Sequence, residues 1–440
     1  MENTNTTQIT AAPHTTDIAI IGAGPIGLAL AHWLLRDSPW HITLIDSHSP
    51  INGARDLPHA AIKDDASIAQ KTETTKQTQR ALALSAGSRL LLEELEAWPH
   101  RDSTAIHTIH VSQRHHFGRT LIQRDDYAID ALGHVVTYAA LRHQLESTLA
   151  ARAAPYAKRF NWWQNSQVMT LHEQNKPCCG ITLTVKKNSA DNNIESTFQQ
   201  CHAGLVIHAE GTPLQRSIQA PQQNHHQRDY QQTALIGTIT CDTPHVHWAW
   251  ERFTAEGPLA LLPLGIDQQS NKVAFSLVWV ASDIVSKQRM MLDDAAFLHE
   301  LNTVFGQRLG KIQSISARQI FPLSLRANES LVYGRRVFVG NAAQTLHPVA
   351  GQGFNLGLRD AWSLANTLRH SISDTQLAAF SKTRQQDRQR TIAITDLLPR
   401  VFGSSFSPLK QLLGLGIATL DCVPPLRHRL AKHMMFGYRK

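Results

Sequence analysis

The sequence predicts an α/β protein in which a Rossmann-like dinucleotide-binding lobe is joined to an antiparallel β-sheet substrate domain and followed by a C-terminal helical region. Three features carry that expectation. A buried strand, a glycine turn and a helix follow one another near the N-terminus; aromatic-rich runs with strand patterning fill residues 230–325; and a second glycine-rich loop lies between an apolar strand and a helix at 337–368. A chain of 440 residues has room for two or three lobes at the usual ~150 residues each. The implied organisation is a first part of the cofactor lobe at 17–115, a mixed segment returning to it at 116–230, the substrate sheet at 231–325, the last part of the cofactor lobe at 326–370, and helices with a basic tail at 371–440.

Composition narrows the function classes. With 18% charged and 42% hydrophobic residues the chain patterns as a folded globular protein rather than a disordered one. Its five cysteines form no C-x-x-C pair, so neither a zinc site nor a disulfide framework is suggested, and a reducing cytoplasm fits. No apolar run reaches 18 residues, and residues 1–16 lack the basic-then-apolar order of an export signal. A formal charge of +8 and a pI near 9.3 suit a nucleic acid, an anionic membrane surface or an anionic cofactor. Without an RNA-binding motif or zinc finger, nucleic acid is not expected as a partner.

Taken in order, Asp17–Ile21 reads as a buried parallel strand, Gly22-x-Gly24-x-x-Gly27 as a tight turn, and Leu28–Leu35 as a helix. Gly22 permits the turn, Gly24 lets backbone approach a pyrophosphate, and Gly27 lets helix pack on strand; Pro25 falls within the same contact. Ile42–Ile45 supplies a second strand ending in Asp46, where an acid accepts hydrogen bonds from a ribose hydroxyl. Residues 47–79 show no apolar period and read as a long surface insertion. Arg80 is placed at a helix entry, either as a solvated arginine or as a cationic contact to phosphates. Leu90–Leu95 and Leu141–Leu149 read as helices, and the alternation from Ile106 to Ile122 reads as strands of a second layer. Val168–Leu171, Ile181–Val185 and Thr197–Cys201 read as a meander returning through Leu205–Ile207 to the acid–glycine pair Glu210-Gly211. Strands follow at Thr233–Cys241, His247–Phe253, Pro258–Leu264 and Val273–Val280, a helix at 294–305 and a strand at Ile312–Leu323. Their aromatic residues are either core or the wall of an apolar pocket.

The stretch Gly340–Asp360 joins the apolar run Val337–Val339 to a helical one. Pro348, Gly351 and Gly353 suit a backbone passing close to a flat ligand, and the helix that follows would aim free N–H groups back at it. Farther on, Arg384, Arg388 and Arg390 read as lying on a polar helix, and the chain closes with Phe406–Leu420 and the basic tail Leu426–Lys440.

An N-terminal dinucleotide fingerprint paired with Gly340-Asn341-Ala342-Ala343, Pro348, Gly351, Gly353, Asn355 and Asp360 resembles the flavin-dependent aromatic hydroxylases typified by the para-hydroxybenzoate enzyme, and among them the ubiquinone-biosynthesis branch. The stretches Leu132–Val136, Asp229–Ala234 and Glu251–Leu264 extend the resemblance over nearly the whole chain. It departs from the pattern at Glu210, where the wider class has Asp, at Thr78, where an Asp precedes the arginine, and at His115, where a Gly is usual.

The resemblance implies a para-hydroxybenzoate-hydroxylase-like fold and bound FAD. The cofactor would be held by Gly22, Gly24, Pro25, Gly27, Asp46, Arg80, Glu210, Gly211, Gly340, Asn341, Pro348, Gly351, Gly353, Phe354 and Asn355. NADH or NADPH would reduce it, O2 would form a C4a-hydroperoxide, and a polyprenylated phenol of the 2-polyprenyl-6-methoxyphenol type would be hydroxylated in ubiquinone biosynthesis. His347 is the candidate helper in phenol deprotonation, beside Pro348 on the reactive side; a structural role for it stays open. A sibling hydroxylase acting at another ring position, and a non-catalytic flavoprotein subunit, stay open too. Other ubiquinone-biosynthesis proteins are implied partners. The tail, with Phe406, Leu409, Leu412, Leu413 and Ile417 at helical spacing before Arg427, Arg429 and Lys432, suggests either peripheral contact with the inner face of the membrane or a helix packed on the core.

Overall fold

The computed structural model describes residues 12–48, 80–114, 119–174, 180–188, 196–211, 225–306, 308–348 and 351–403. The insertion expected at 47–79 and the tail beyond 403 lie almost wholly outside the described residues, as do Thr78 and His115.

Five strands form the parallel heart of the first sheet, in the order Arg336–Phe338, Thr197–His208, His14–Ile21, Ile42–Ile45 and Phe160–Trp163. Ile42–Ile45 is buried at every position and Asp17–Ile21 at all but its first, as parallel strands covered on both faces must be. The helix Pro25–Asp37 starts on a proline, which lacks the N–H that a first turn leaves unpaired, and packs against the helices Tyr138–Ala153 and Gln352–Thr367. Ile18, Ile20, Leu28, Leu30, Trp33, Leu141, Ile207, Val337 and Leu364 share this core. The strands Ser166–Gln174 and Gly180–Lys187 extend the sheet as an antiparallel meander on Thr197–His208, as expected.

The second sheet has nine strands among the described residues. Gln319–Asn328, His225–Cys241, Lys272–Ser282, Pro258–Asp267 and Trp248–Phe253 lie side by side, all antiparallel. One face carries Leu235, Leu261, Phe275, Leu277 and Trp279 and is covered by the helix Asp294–Phe305, so most of the aromatic residues are core.

Four differences from the sequence reading stand out. Thr108–Gln113 and Arg119–Gln123 belong to this second sheet, joined through a parallel pairing with Trp248–Phe253, so the 17–115 segment divides between the two sheets. The second layer expected from the alternation at Ile106–Ile122 is this sheet; what differs is the segment boundary, since the strands fall inside 17–115 and at the start of 116–230. Arg80 stands at the entry of a strand, Ala81–Ser85, not a helix; five residues of mixed small and apolar type do not separate the two periods. The single strand read at Ile312–Leu323 is two, Ile312–Ile315 and Gln319–Asn328. Finally, Arg384 and Arg388 on the helix Asp374–Gly403 are buried, because carboxylates and amides of other elements meet them.

Candidate functional site

At the C-terminal edge of the parallel sheet the chain turns through Gly22 at φ +101°, where a Cβ would fall 2.8 Å from the Glu210 backbone nitrogen. A Cβ on Gly27 would stand 2.0 Å from the Gly22 carbonyl oxygen, so these two glycines serve the turn itself. Gly24 differs. Its backbone is extended, and the nearest atom to a Cβ there is the Tyr138 hydroxyl at 3.3 Å, so the space beside it is reserved by a movable side-chain tip rather than by backbone.

Around this turn stand groups suited to an anionic, hydroxyl-rich ligand. The Asp46 carboxylate at the end of Ile42–Ile45 accepts from Arg142 Nη2 at 3.3 Å, and Arg142 Nε donates to Glu146 at 2.7 Å. Burial works against the Arg142 charge, but Glu146 and Asp46 outweigh it and raise its pKa. Arg80 keeps solvent contact, yet the protein around it removes enough water to pull its pKa down, against the influence of Tyr138. No carboxylate among the described residues pairs with it.

His208 Nδ1 lies 2.8 Å from Glu210 Oε1, which as a carboxylate oxygen accepts, so Nε2 is left to receive the Arg336 guanidinium at 3.3 Å. His208 also stacks on Phe338 at 4.5 Å. The longer carboxylate at 210 is thereby fixed in direction, and its buried Oε2 meets no donor among the described residues. Gly211 beyond it is exposed, with open space where a Cβ would be.

The late loop leaves the strand Arg336–Phe338 through a short 3-10 turn, Gly340–Ala342, on which Asn341 is exposed, and runs past Pro348 to the helix Gln352–Thr367. Gly351 caps that helix in the left-handed region at φ +58°, where a Cβ would stand 3.0 Å from that of Ala83, and no side-chain hydrogen bond closes the cap. A Cβ on Gly353 would come no nearer than 4.0 Å to its closest neighbour, Leu346, so the first turn faces open space. Asn355 is buried and consumed inward: Ser85 N–H and the Ser88 hydroxyl donate to its Oδ1, while its Nδ2 donates to the Ala83 and Gly351 carbonyls. Its side chain ties the helix start to the strand Ala81–Ser85. Phe354 packs against the core.

Beneath the loop lies a buried network of ions and amides. Arg384 bridges Asp360 at 2.7 Å and Asp387 at 2.6 Å, and Arg359 joins Asp387 at 3.0 Å. Gln344 donates to Asp360 and accepts from Arg388, whose other nitrogen donates to the Asn328 carbonyl. Burial alone would raise the Asp387 pKa, but the two arginines override it and hold it below the usual carboxylate range. His347 is almost fully buried, which lowers its pKa to about 4, and its ring meets Tyr230 edge-on at 5.2 Å. Tyr230 donates to Asp396, which also pairs with Arg228.

Sequence reasoning missed Tyr138, Arg142, His208, Arg336, Tyr230 and Asp396.

Open space at Gly211 and Gly353, a backbone at Gly24 covered only by the tip of Tyr138, an arginine, Arg80, with no carboxylate partner among the described residues, and an orphaned acceptor on Glu210 fit a flavin dinucleotide. The fold and the site define a flavoprotein with a para-hydroxybenzoate-hydroxylase-like architecture, of the FAD-dependent aromatic-ring monooxygenase class. The chain belongs to the FAD binding domain family, which it matches over residues 15–395.

Among its relatives, the mitochondrial ubiquinone biosynthesis monooxygenase COQ6 of Homo sapiens is 27% identical over 94% of this chain and 91% of its own length. The 3-demethoxyubiquinol 3-hydroxylase of Escherichia coli strain K12 is 25% identical over 96% and 98%. In fold, the p-nitrophenol 4-monooxygenase PnpA of Pseudomonas putida DLL-E4 superposes with a TM-score of 0.71 at 12% identity, covering 97% of this chain and all of that one. No helix among the described residues is long and apolar enough to cross a membrane.

Proposed function

We propose that this chain hydroxylates the ring of a polyprenylated phenol of the 2-polyprenyl-6-methoxyphenol type in ubiquinone biosynthesis, using O2 and electrons from NADH or NADPH. The observation that carries the reading is the presence, in one chain with the dinucleotide turn, of an apolar, half-buried row across the second sheet formed by Ile236, Val278, Ala260 and Val111. Relatives named for ubiquinone biosynthesis, aligned over nearly their whole length, support the pathway.

Bound FAD supplies the redox chemistry and oxygen activation. The chain's residues do the rest. Asp46 and Glu210 would accept from ribose and ribityl hydroxyls, Arg80 would meet the phosphates, and Gly22, Gly24, Pro25 and Gly27 would form the turn against them. Gly340, Asn341, Pro348, Gly351, Gly353, Phe354 and Asn355 build or brace the loop that meets the ring, and the N-terminus of Gln352–Thr367 favours negative charge there. The apolar sheet face excludes water from the reacting ring. His347 is neutral at physiological pH and packs against Tyr230, which fits a positioning role better than proton transfer to solvent. The prenyl tail calls for work at the cytoplasmic face of the membrane, reached directly or through other proteins of the pathway.

The test uses FAD-loaded protein, NADH or NADPH, 18O2 and 2-methoxy-6-prenylphenol. Substrate-stimulated oxidation of the nicotinamide, with one 18O atom in a hydroxylated product, is expected. Bound flavin with no stimulation would leave a non-catalytic flavoprotein.

A further inference from the structure

We infer that Glu251 is the residue that recognises the ring hydroxyl of the substrate, accepting a hydrogen bond from it on the apolar face of the nine-stranded sheet. This deepens the phenol-hydroxylase reading and rests on it.

The placement follows from strand alternation. Trp250 packs edge-on against Phe305 and Arg252 donates to the Val304 carbonyl, so the even-numbered residues of Trp248–Phe253 face the covering helix. Ala249, Glu251 and Phe253 therefore face the other way. The register sets Glu251 opposite Ala260 on one side and Val111 on the other, with Val278 and Ile236 next in the same row. All of these are half-buried, and none ionises.

The rows on either side hold Ala249, Ile109 and Leu262 in one direction and Phe253, Pro258 and Gln113 in the other, again without a titratable side chain. The first of these rows clusters with Ala81 of the strand Ala81–Ser85, and Asn355 at the start of the late helix donates to the Ala83 carbonyl of that strand at 3.0 Å. Glu251 thus lies one side-chain row from the contact that leads to the late loop.

A carboxyl in such a place is costly unless something meets it. Glu251 is half-buried as a residue, but its Oε1 is fully buried and finds no donor among the described residues, and no ion pair there involves Glu251. Burial, with no charge to offset it, pushes its pKa up to about 7. A sheet position needing only to be filled would take a Val or Leu, as its neighbours do. An unmet acceptor in an apolar wall suits a ring that brings one hydroxyl and is otherwise hydrocarbon.

Binding separates the hydroxyl from the rest of the ring. FAD-loaded protein is titrated with 2-methoxy-6-prenylphenol and with its methyl ether, following the flavin absorbance, without turnover. The wild-type protein should prefer the phenol about tenfold or more. Glu251→Ala should lose that preference to within twofold while holding the ether as tightly as before, and Glu251→Gln, whose amide oxygen still accepts, should keep part of it. Flavin content and thermal unfolding of both variants guard against a folding defect, and Gln preserves the volume if Ala does not fold. A phenol preference that survives intact in Glu251→Ala overturns the assignment of Glu251 alone. A wild-type protein that binds neither ring overturns the phenol reading, and this assignment with it.

Discussion

The two ends of the cofactor cleft are built in different ways. At the glycine turn, backbone meets backbone: Gly22 abuts Glu210, Gly27 abuts Gly22, and the strands on either side are apolar. At the late loop, the backbone is held from below by side chains far apart in sequence, with Gln344, Asp360, Arg384, Asp387 and Arg388 joined in one buried network. The first is fixed by what is small enough to fit. The second is fixed by charge balance, and any one missing member leaves another buried and unpaired.

The comparison is broken most severely at the network. Arg384→Met would leave the buried Asp360 with only the Gln344 amide and no cation, and Asp387 with Arg359 alone, and should cost about 3–5 kcal/mol. Urea unfolding at neutral pH measures this, and a loss below ~1 kcal/mol would mean the loop does not depend on the network.

At the turn, the expected loss depends on which glycine is changed. Gly27→Ala drives a methyl into the Gly22 carbonyl and should cost about 3 kcal/mol by overpacking. Gly24→Ala needs only a small shift of the Tyr138 hydroxyl, so the fold should hold while flavin affinity falls tenfold or more. Equal stability losses for the two variants would show that Gly24 serves the fold rather than the ligand.

The smallest expected effect is one of pH. His347 has a folded pKa of about 4 against 6.5 in the unfolded chain, so the unfolded state takes up the proton first and stability falls as pH drops from about 6.5 toward 4. Between pH 7 and pH 5 its share is about 1–2 kcal/mol. His347→Gln should flatten the pH slope of urea unfolding in that range, and an unchanged slope would place the dependence on other histidines.

This division also sets what the sequence could reveal. The glycine turn is local: the spacing of Gly22, Gly24 and Gly27, the strand before and the acid after at Asp46 are all readable along the chain. The loop's own outline was readable too, from Pro348 and Gly351 through Asn355. Its support was not. Arg384 and Arg388 look like a solvated helix face in sequence, because the carboxylate and amide that bury them come from Asp360 and Gln344. Arg80 was misread as a helix entry because five residues of small and apolar type fit either period. The second layer of Thr108–Gln113 was legible in its alternation, but its parallel pairing with Trp248–Phe253 was not, since alternation fixes a strand's faces but not its partners.

The parallel pairing of His14–Ile21 with Thr197–His208 has a consequence for how the protein is made. The turn at Gly22 is completed only when the backbone around Ala209 and Glu210 arrives, and the strand Arg336–Phe338 docks later still. At ordinary synthesis rates the N-terminal strand and helix wait on the order of 10–40 s for their first sheet neighbour beyond Ile42–Ile45 and Phe160–Trp163. Throughout that interval the most apolar stretch of the nascent chain, Ile18–Leu35, has no finished core to enter, so a cell short of chaperone capacity should lose this protein to aggregation before it loses it to any lack of flavin.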